Sequence, residues 1–339
     1  MGKAYNILPA FPKIVGIETT AHCNASCVFC PLHGSKSDMV LPKGVMSMRL
    51  FEKIVRELSA RRDRIDVIFL NVRGEPLLDP KFDSRLGIIS GYGLNDKISM
   101  QTNGQFLDRH KAEVVLNNKI GQIVLGFDAA TKEVYEQHRI NCNYETVLNN
   151  MHNFLELRQK VKSKVRVSIK YVCTHKNKHE IKTAYKMWSK RLISRLDSFM
   201  ISPSENWANS KIDSNGYAIK TTHNSNKDRV PCPLLANSIN VLYDGKVPAC
   251  CWDYNMDISN GEMGDANDHQ LAEIWSGKAF QNLRYKHANL DFTGLPRCAQ
   301  CSQILEYDDS GLRGHGKTIP IGVAARYLLG IKKLIGKFI

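Results

Sequence analysis

The sequence has no run of about 18 apolar residues, so it contains no candidate transmembrane helix. Its opening stretch, MGKAYNILPAFPK, has no apolar core of the kind a secretory signal needs. Asn6 stands where an N-myristoylation signal needs Ser or Thr. Acidic side chains are in short supply: 33 Asp and Glu face 47 Lys and Arg, a formal net charge of +14. No RNA-reading signature, helix-turn-helix pattern, internal repeat or long low-complexity tract occurs, so the charge alone does not point to nucleic acid. What is present is an ordinary globular composition, 43% hydrophobic and 24% charged, over 339 residues, enough for about two domains. There are also ten cysteines. Without an export signal these face a reducing cytoplasm, where thiols serve as metal ligands or core residues more often than as disulfides.

The charge is concentrated. Residues 158–195 hold thirteen Lys and Arg against one acid, Glu180, and residues 311–339 hold six and none, which leaves the remainder slightly acidic. Such blocks are either solvated faces or surfaces for an anionic partner. In 319–339, Leu328, Leu329, Ile331, Leu334, Ile335 and Phe338 recur at helical spacing among Lys332, Lys333 and Lys337. That pattern suits a basic amphipathic helix at the inner face of a membrane, where it would meet a lipid-linked substrate, and equally a helix docked with its lysines outward.

Short β-rich runs at 14–19, 67–72, 97–101, 123–127, 165–172 and 198–202 alternate with helical spacing at 47–60, 80–90, 108–118, 144–161 and 179–193. This alternation implies βα units on a parallel sheet, an α/β fold in which six units form a partial barrel. Ser47 and Asp108 are expected helix caps, and Asp79-Pro80 reads as a cap followed by Pro at the first helical position. In barrels of this kind chemistry sits at the C-terminal ends of the strands. The pattern breaks after Pro203, so the organisation expected is a barrel over 1–203, a linker over 204–231, a cysteine-bearing domain over 232–305 and a basic tail over 306–339.

The strongest local signal is Cys23-Asn24-Ala25-Ser26-Cys27-Val28-Phe29-Cys30, directly after the first strand. Three thiolates within eight residues suit a four-iron cluster with one iron left open. A zinc site completed by His22 or His33 uses the same cysteines. The C-x3-C-x2-C loop, with Phe29 before the last cysteine, resembles the radical S-adenosylmethionine (SAM) superfamily. Arg73-Gly74-Glu75-Pro76 ends the second strand like that family's GGE motif, with Arg73 in place of the first glycine. Thr102-Asn103-Gly104 ends the third. Gly126-Phe127-Asp128-Ala129 ends the fourth where relatives often read S-x-D-G, so the usual serine is Gly126. Arg139 follows at a position that in relatives can pair with the SAM carboxylate.

The resemblance covers residues 14–202. It implies a partial (β/α)6 TIM-like barrel and a [4Fe-4S] cluster on Cys23, Cys27 and Cys30. It also implies a SAM site built from Phe29, Gly74, Glu75, Asn103 and Arg139. The charges fit: Glu75 can accept from an ammonium and Arg139 can grip a carboxylate. Gly74 would let backbone approach a ligand closely. Asp128 is the candidate catalytic base, with structural pairing as its other reading. Cys142 and Cys173 stand alone and are read as core or surface thiols.

Cys232, Gly245, Cys250 and the Cys298–Cys301 pair resemble the opening and close of a SPASM/twitch extension. Asp244-Gly245 signals a hairpin that would bring Cys232 and Cys250 together. No cysteine follows Cys301, so the resemblance implies one auxiliary [4Fe-4S] cluster on Cys232, Cys250, Cys298 and Cys301 in a small α+β domain. Cys251 competes with Cys250, and a structural zinc ribbon uses the same four ligands. The activity implied is reductive cleavage of SAM to a 5′-deoxyadenosyl radical that abstracts hydrogen from the substrate. The auxiliary cluster would take up an electron, and a reductase, flavodoxin or ferredoxin would act as donor. The substrate expected is a small, sugar-like or cyclitol alcohol that is oxidised or epimerised. A ribosomal-peptide maturase of the SPASM type and a non-catalytic zinc-stabilised binding protein are the alternatives.

Overall fold

The computed structural model describes residues 8–34, 41–204, 229–259, 261, 263–301 and 317–320. Strands β1 (Ile14–Ile17), β2 (Ser26–Cys27), β3 (Val67–Phe69), β4 (Ile98–Thr102), β5 (Gln122–Gly126), β6 (Arg139–Ile140), β7 (Arg166–Cys173) and β8 (Ser198–Pro203) precede β9 (Ser238–Val241) and β10 (Lys317–Pro320). Between them lie helices α1 (Met48–Ser59), α2 (Phe82–Gly91), α3 (Arg109–Asn117), α4 (Lys132–His138), α5 (Tyr144–Lys160) and α6 (Ile181–Ser189). The C-terminal region adds α7 (Pro233–Asn237), α8 (Leu271–Ser276), α9 (Lys278–Ala288) and α10 (Pro296–Ala299).

The large sheet runs β10-β8-β7-β5-β4-β3-β1-β9. Its six central strands follow sequence order and are all parallel, joined by helical crossovers. This is the expected partial barrel, and among the described residues the sheet stays open. Near-continuous burial along β4 and β5 follows from cover on both faces. Helix α1 forms as its pattern dictates: Leu50, Phe51, Ile54, Val55 and Leu58 are buried along one stripe, and the Ser47 hydroxyl accepts from the Leu50 N–H at 3.2 Å. Asp108 caps α3 in the same way, at 2.8 Å from the Lys111 N–H.

Asp79 behaves differently from the expected cap. Helix α2 begins at Phe82, two residues past Pro80. Asp79 accepts from the Lys81 N–H at 2.9 Å and pairs with the buried Arg85 at 2.5 Å. The carboxylate thus serves a buried cation, and the helix starts where that pairing allows.

Segments from the C-terminal region extend the barrel sheet at both edges. Strand β9 pairs in parallel with β1, Ile14 to Ser238 through Ile17 to Val241, and β10 pairs antiparallel with β8. The turn at Asp244-Gly245 forms as expected, the Gly245 N–H donating to the Leu242 carbonyl at 3.0 Å. Its outgoing arm returns one bond, the Leu242 N–H donating to the Lys246 carbonyl at 2.9 Å, and then meets residues 264–265. Helix α1 fastens the region further. Glu57 accepts from the first backbone N–H groups of α8, Leu271 at 2.8 Å and Ala272 at 2.9 Å. Lys53 donates to the carbonyls of Ala266 and Asn267. Most of the expected linker, and residues 321–339 with the amphipathic pattern, lie outside the described residues.

Candidate active site

A cavity of about 510 Å³ opens at the C-terminal ends of the parallel strands. One side is the cysteine loop, with Cys23, Cys27, Cys30 and Phe29. The strand-end residues Gly74, Glu75, Asn103 and Arg139 also line it. These eight are the residues expected for the first cluster and for SAM, and the fold brings all of them to one space.

A two-strand ribbon explains much of this placement. Strand β2 pairs antiparallel with β6, putting Cys27 opposite Arg139. The Val28 N–H donates to the His138 carbonyl at 3.0 Å, extending the pairing. The Arg139 guanidinium lies 5.6 Å from the Phe29 ring centroid. Its Nε donates to the Asp128 carboxylate at 2.6 Å. Arg139 also lines the cavity, where a guanidinium can pair with a carboxylate.

Gly126 makes that position available. A Cβ there would sit 2.4 Å from Arg139 Nη2 and 3.0 Å from its Cζ. The departure from the family's serine and the seat of Arg139 are therefore one arrangement. Asp128 is fully buried and absent from the cavity wall, with one oxygen on Arg139 and the other accepting from the Val172 N–H at 2.7 Å. Each oxygen accepts one hydrogen bond, and this geometry matches the structural-pairing reading of Asp128, with Arg139 as the partner.

Glu75 is held by three donors: the Thr102 hydroxyl at 2.6 Å and the N–H groups of Asn103 at 2.8 Å and Leu77 at 3.1 Å. Burial pushes its carboxyl pKa up, and these hydrogen bonds oppose the shift. Asn103 bonds to Asn24 of the cysteine loop at 2.9 Å. Gly74 does permit a close approach, but to protein: a Cβ would meet the Thr20 carbonyl oxygen at 2.1 Å. The neighbouring Glu75 N–H donates to the His22 carbonyl at 2.8 Å. The glycine thus docks the strand end against the cysteine loop.

Arg73 lines the cavity and spends its guanidinium on protein partners. It forms a bidentate pair with the fully buried Glu18, both contacts at 2.6 Å, and donates to the Tyr254 carbonyl at 2.9 Å. Glu18 also accepts from the Tyr243 N–H at 3.2 Å. The residue that replaces the family glycine therefore ties two barrel strands to the C-terminal region.

Burial raises the thiol pKa of all three loop cysteines, Cys23 to about 12 with the charge of Glu75 adding to it. Arg139 opposes the shift at Cys27, and backbone N–H groups of residues 32–34 oppose it at Cys30. Bound iron would hold these sulfurs as thiolates. His22 is exposed and off the cavity wall, and His33 Nε2 lies 2.9 Å from the Arg73 carbonyl. Among the described residues no three His, Cys, Asp or Glu form a group able to hold a single metal ion. In an iron–sulfur cluster each of the three thiols would bind a different iron.

A second, small cavity is lined by Cys232, Cys250, Cys298 and Cys301. Its remaining walls are apolar apart from Trp252 and His287. Cys251, the competitor to Cys250, lines the larger cavity instead. Four thiols around one dry space are a complete donor set for a cluster.

Several residues escaped the sequence reading. Asn71, Gln101, Lys170, Met200, Ser202 and Ser204 line the larger cavity from on or just past β3, β4, β7 and β8. Proximity to a strand's C-terminal end was a signal for Asn71, Gln101, Ser202 and Ser204, while Lys170 and Met200 lie mid-strand. Lys170 belongs to the basic block, lies 3.3 Å from Gln101 Oε1 and points one cation inward. Arg158 of that block is buried against Asp197, and most of the others are exposed. Cys142 and Cys173 are both buried core thiols, and the Cys142 sulfur accepts from Asn24 of the cysteine loop at 3.7 Å.

Comparison with known proteins agrees with this geometry. Residues 17–187 match the radical SAM superfamily and residues 232–302 match the SPASM iron–sulfur cluster-binding domain. A SAM-dependent 2-deoxy-scyllo-inosamine dehydrogenase from Niallia circulans is 27% identical over 129 residues, 37% of this chain and 50% of that protein. A probable GTP 3′,8-cyclase from Aeropyrum pernix is 27% identical over 126 residues, 37% of this chain and 34% of that protein. The matched region thus spans half or less of either relative.

Among solved structures, BtrN in complex with AdoMet and 2-DOIA superposes with a TM-score of 0.57 at 16% identity, covering 87% of this chain and 94% of that one. Streptococcus suis SuiB bound to precursor peptide SuiA gives 0.61 at 15% identity, covering 82% and 67%. Native anSMEcpe with bound AdoMet gives 0.60 at 16%, covering 96% of both. These likenesses share the fold. No helix among the described residues is long and apolar enough to cross a membrane. With its cofactors SAM and iron–sulfur clusters, the chain belongs to the radical SAM superfamily and carries a SPASM domain.

Proposed function

We propose that the protein oxidises or epimerises a small sugar-like or cyclitol alcohol. When bound, SAM and the first cluster supply the radical chemistry that removes a hydrogen atom from an unactivated C–H bond. The chain's own residues do the rest. Cys23, Cys27 and Cys30 hold the first cluster, Glu75 takes the SAM ammonium, and Arg139 takes the carboxylate. Gly74 and Asn103 keep Glu75 in place, and Phe29 lies against Arg139. Across the cavity Asn71, Gln101, Lys170, Ser202 and Ser204 offer the mixed donors and acceptors that a hydroxyl-rich molecule needs. Lys170 would suit an anionic substituent.

One observation carries the reading: Leu234 and Trp252 stand in the walls of both cavities. A single layer of side chains separates the substrate space from the four-cysteine space, so an auxiliary [4Fe-4S] cluster on Cys232, Cys250, Cys298 and Cys301 would be close enough to receive an electron. A flavodoxin, ferredoxin or reductase would supply the first cluster. The name of the inosamine dehydrogenase, which this chain matches over half that enzyme's length, points to the same substrate class.

The test is transfer of deuterium from the carbinol carbon of labelled cyclitols and sugars into 5′-deoxyadenosine. Label transfer from one of them supports the reading. Transfer from a ribosomal precursor peptide, with none from any alcohol, would replace it with that of a peptide maturase.

A further inference from the structure

The four-cysteine cavity contains one group that its thiols do not explain. His287, near the end of α9, is 1% exposed and lines that cavity. Neither Nδ1 nor Nε2 has a hydrogen-bond partner among the described residues. The ring is seated edge-on against Phe292, with centroids 5.1 Å apart, so packing fixes its plane without satisfying its nitrogens. A buried imidazole with both nitrogens orphaned is costly, and native proteins rarely leave one without a purpose. The other cavity-lining side chains are apolar or thiol, except for the Trp252 indole, which has a donor and no acceptor. The acceptors this space could offer an imidazole N–H are therefore sulfurs.

We propose that His287 donates a ring N–H hydrogen bond to a sulfur of the auxiliary cluster and thereby raises that cluster's reduction potential. The inference rests on the proposal that the four cysteines hold a cluster. Hydrogen bonds to cluster sulfurs stabilise the reduced, more negative form. Four cysteines already complete the ligand set, so His287 is not needed on iron and acts through the sulfur it touches.

The test is a potentiometric titration of the reconstituted full-length protein followed by EPR, the first cluster being the one whose signal SAM perturbs. His287→Leu should keep the wild-type iron content and move the auxiliary potential down by about tenfold in its one-electron equilibrium, 59 mV. His287→Gln, which keeps an N–H donor, should restore most of the shift. In the wild type, 15N-labelled histidine should give a weak nitrogen coupling to the auxiliary cluster, a readout independent of how the variants fold. An unchanged potential in a fully loaded His287→Leu protein overturns the inference. So does the strong coupling of a directly bound nitrogen, or the absence of any coupling. A wild-type protein that assembles only the SAM-responsive cluster overturns both this inference and the reading beneath it.

Discussion

Gly126 and Arg139 show what one missing methyl carbon can organise. In the sequence, Gly126 is only a departure from the family's serine. In the structure it is the space that the Arg139 guanidinium occupies. Restoring the serine should therefore harm the site. Gly126→Ser should displace Arg139 and weaken SAM binding to the reconstituted enzyme by about tenfold or more, the worth of a charge-assisted hydrogen bond. Equilibrium dialysis measures this, and an unchanged affinity would show that Arg139 does not hold SAM. The three loop cysteines, expected from their spacing, and Glu75 and Arg139, expected from the family resemblance, do line one cavity. Asp128 was left with two readings because a carboxylate's two oxygens can be assigned only when their donors are seen. The Val172 N–H that occupies one of them is 44 residues away in the chain.

At the scale of elements, the six central strands and most helix starts were legible from alternation, periodicity and caps. The cross-connections were not. The β2–β6 ribbon is only two residues long on each side, too short for any periodic signal. Strand β9 was read as one arm of a local hairpin, and its partner β1 lies more than 200 residues upstream. The Glu18–Arg73 pair belongs to the same class of long-range link, joining β1 and β3 ends to Tyr243 and Tyr254. Removing one member of a buried pair strands the other. Arg73→Met should lower the unfolding free energy by about 3–5 kcal/mol. Denaturant unfolding of the single variant against a Glu18→Gln/Arg73→Met double variant checks this, and the double variant should recover part of the loss. Equal losses in the two would mean that the stranded charge is not the cause.

At the scale of the molecule, two cysteine-lined cavities share a wall, and this arrangement makes separable demands. Cys298→Ala should leave SAM cleavage running without product, because the first site is intact and the electron has lost its acceptor. Iron should fall from about eight per chain towards four. Cys251→Ala, altering a residue of the substrate cavity, should keep the full complement. Full product from the Cys298 variant, or loss of iron from the Cys251 variant, would reverse these assignments. The spacing from Gly245 favours Cys250, and the structure puts Cys250 on the four-cysteine cavity and Cys251 on the larger one.

The order of the sheet has a consequence for how the chain can be divided. Both flanks of the six-strand array are covered by segments from after residue 230, β9 along β1 and β10 along β8. The barrel residues alone would leave two rows of backbone N–H and C=O groups bare, a template for self-association. The C-terminal region therefore also acts as edge protection, guarding the barrel's solubility as well as housing a cofactor. A cut near residue 203, where the sequence pattern breaks, would fall at a compositional seam that is not a structural one.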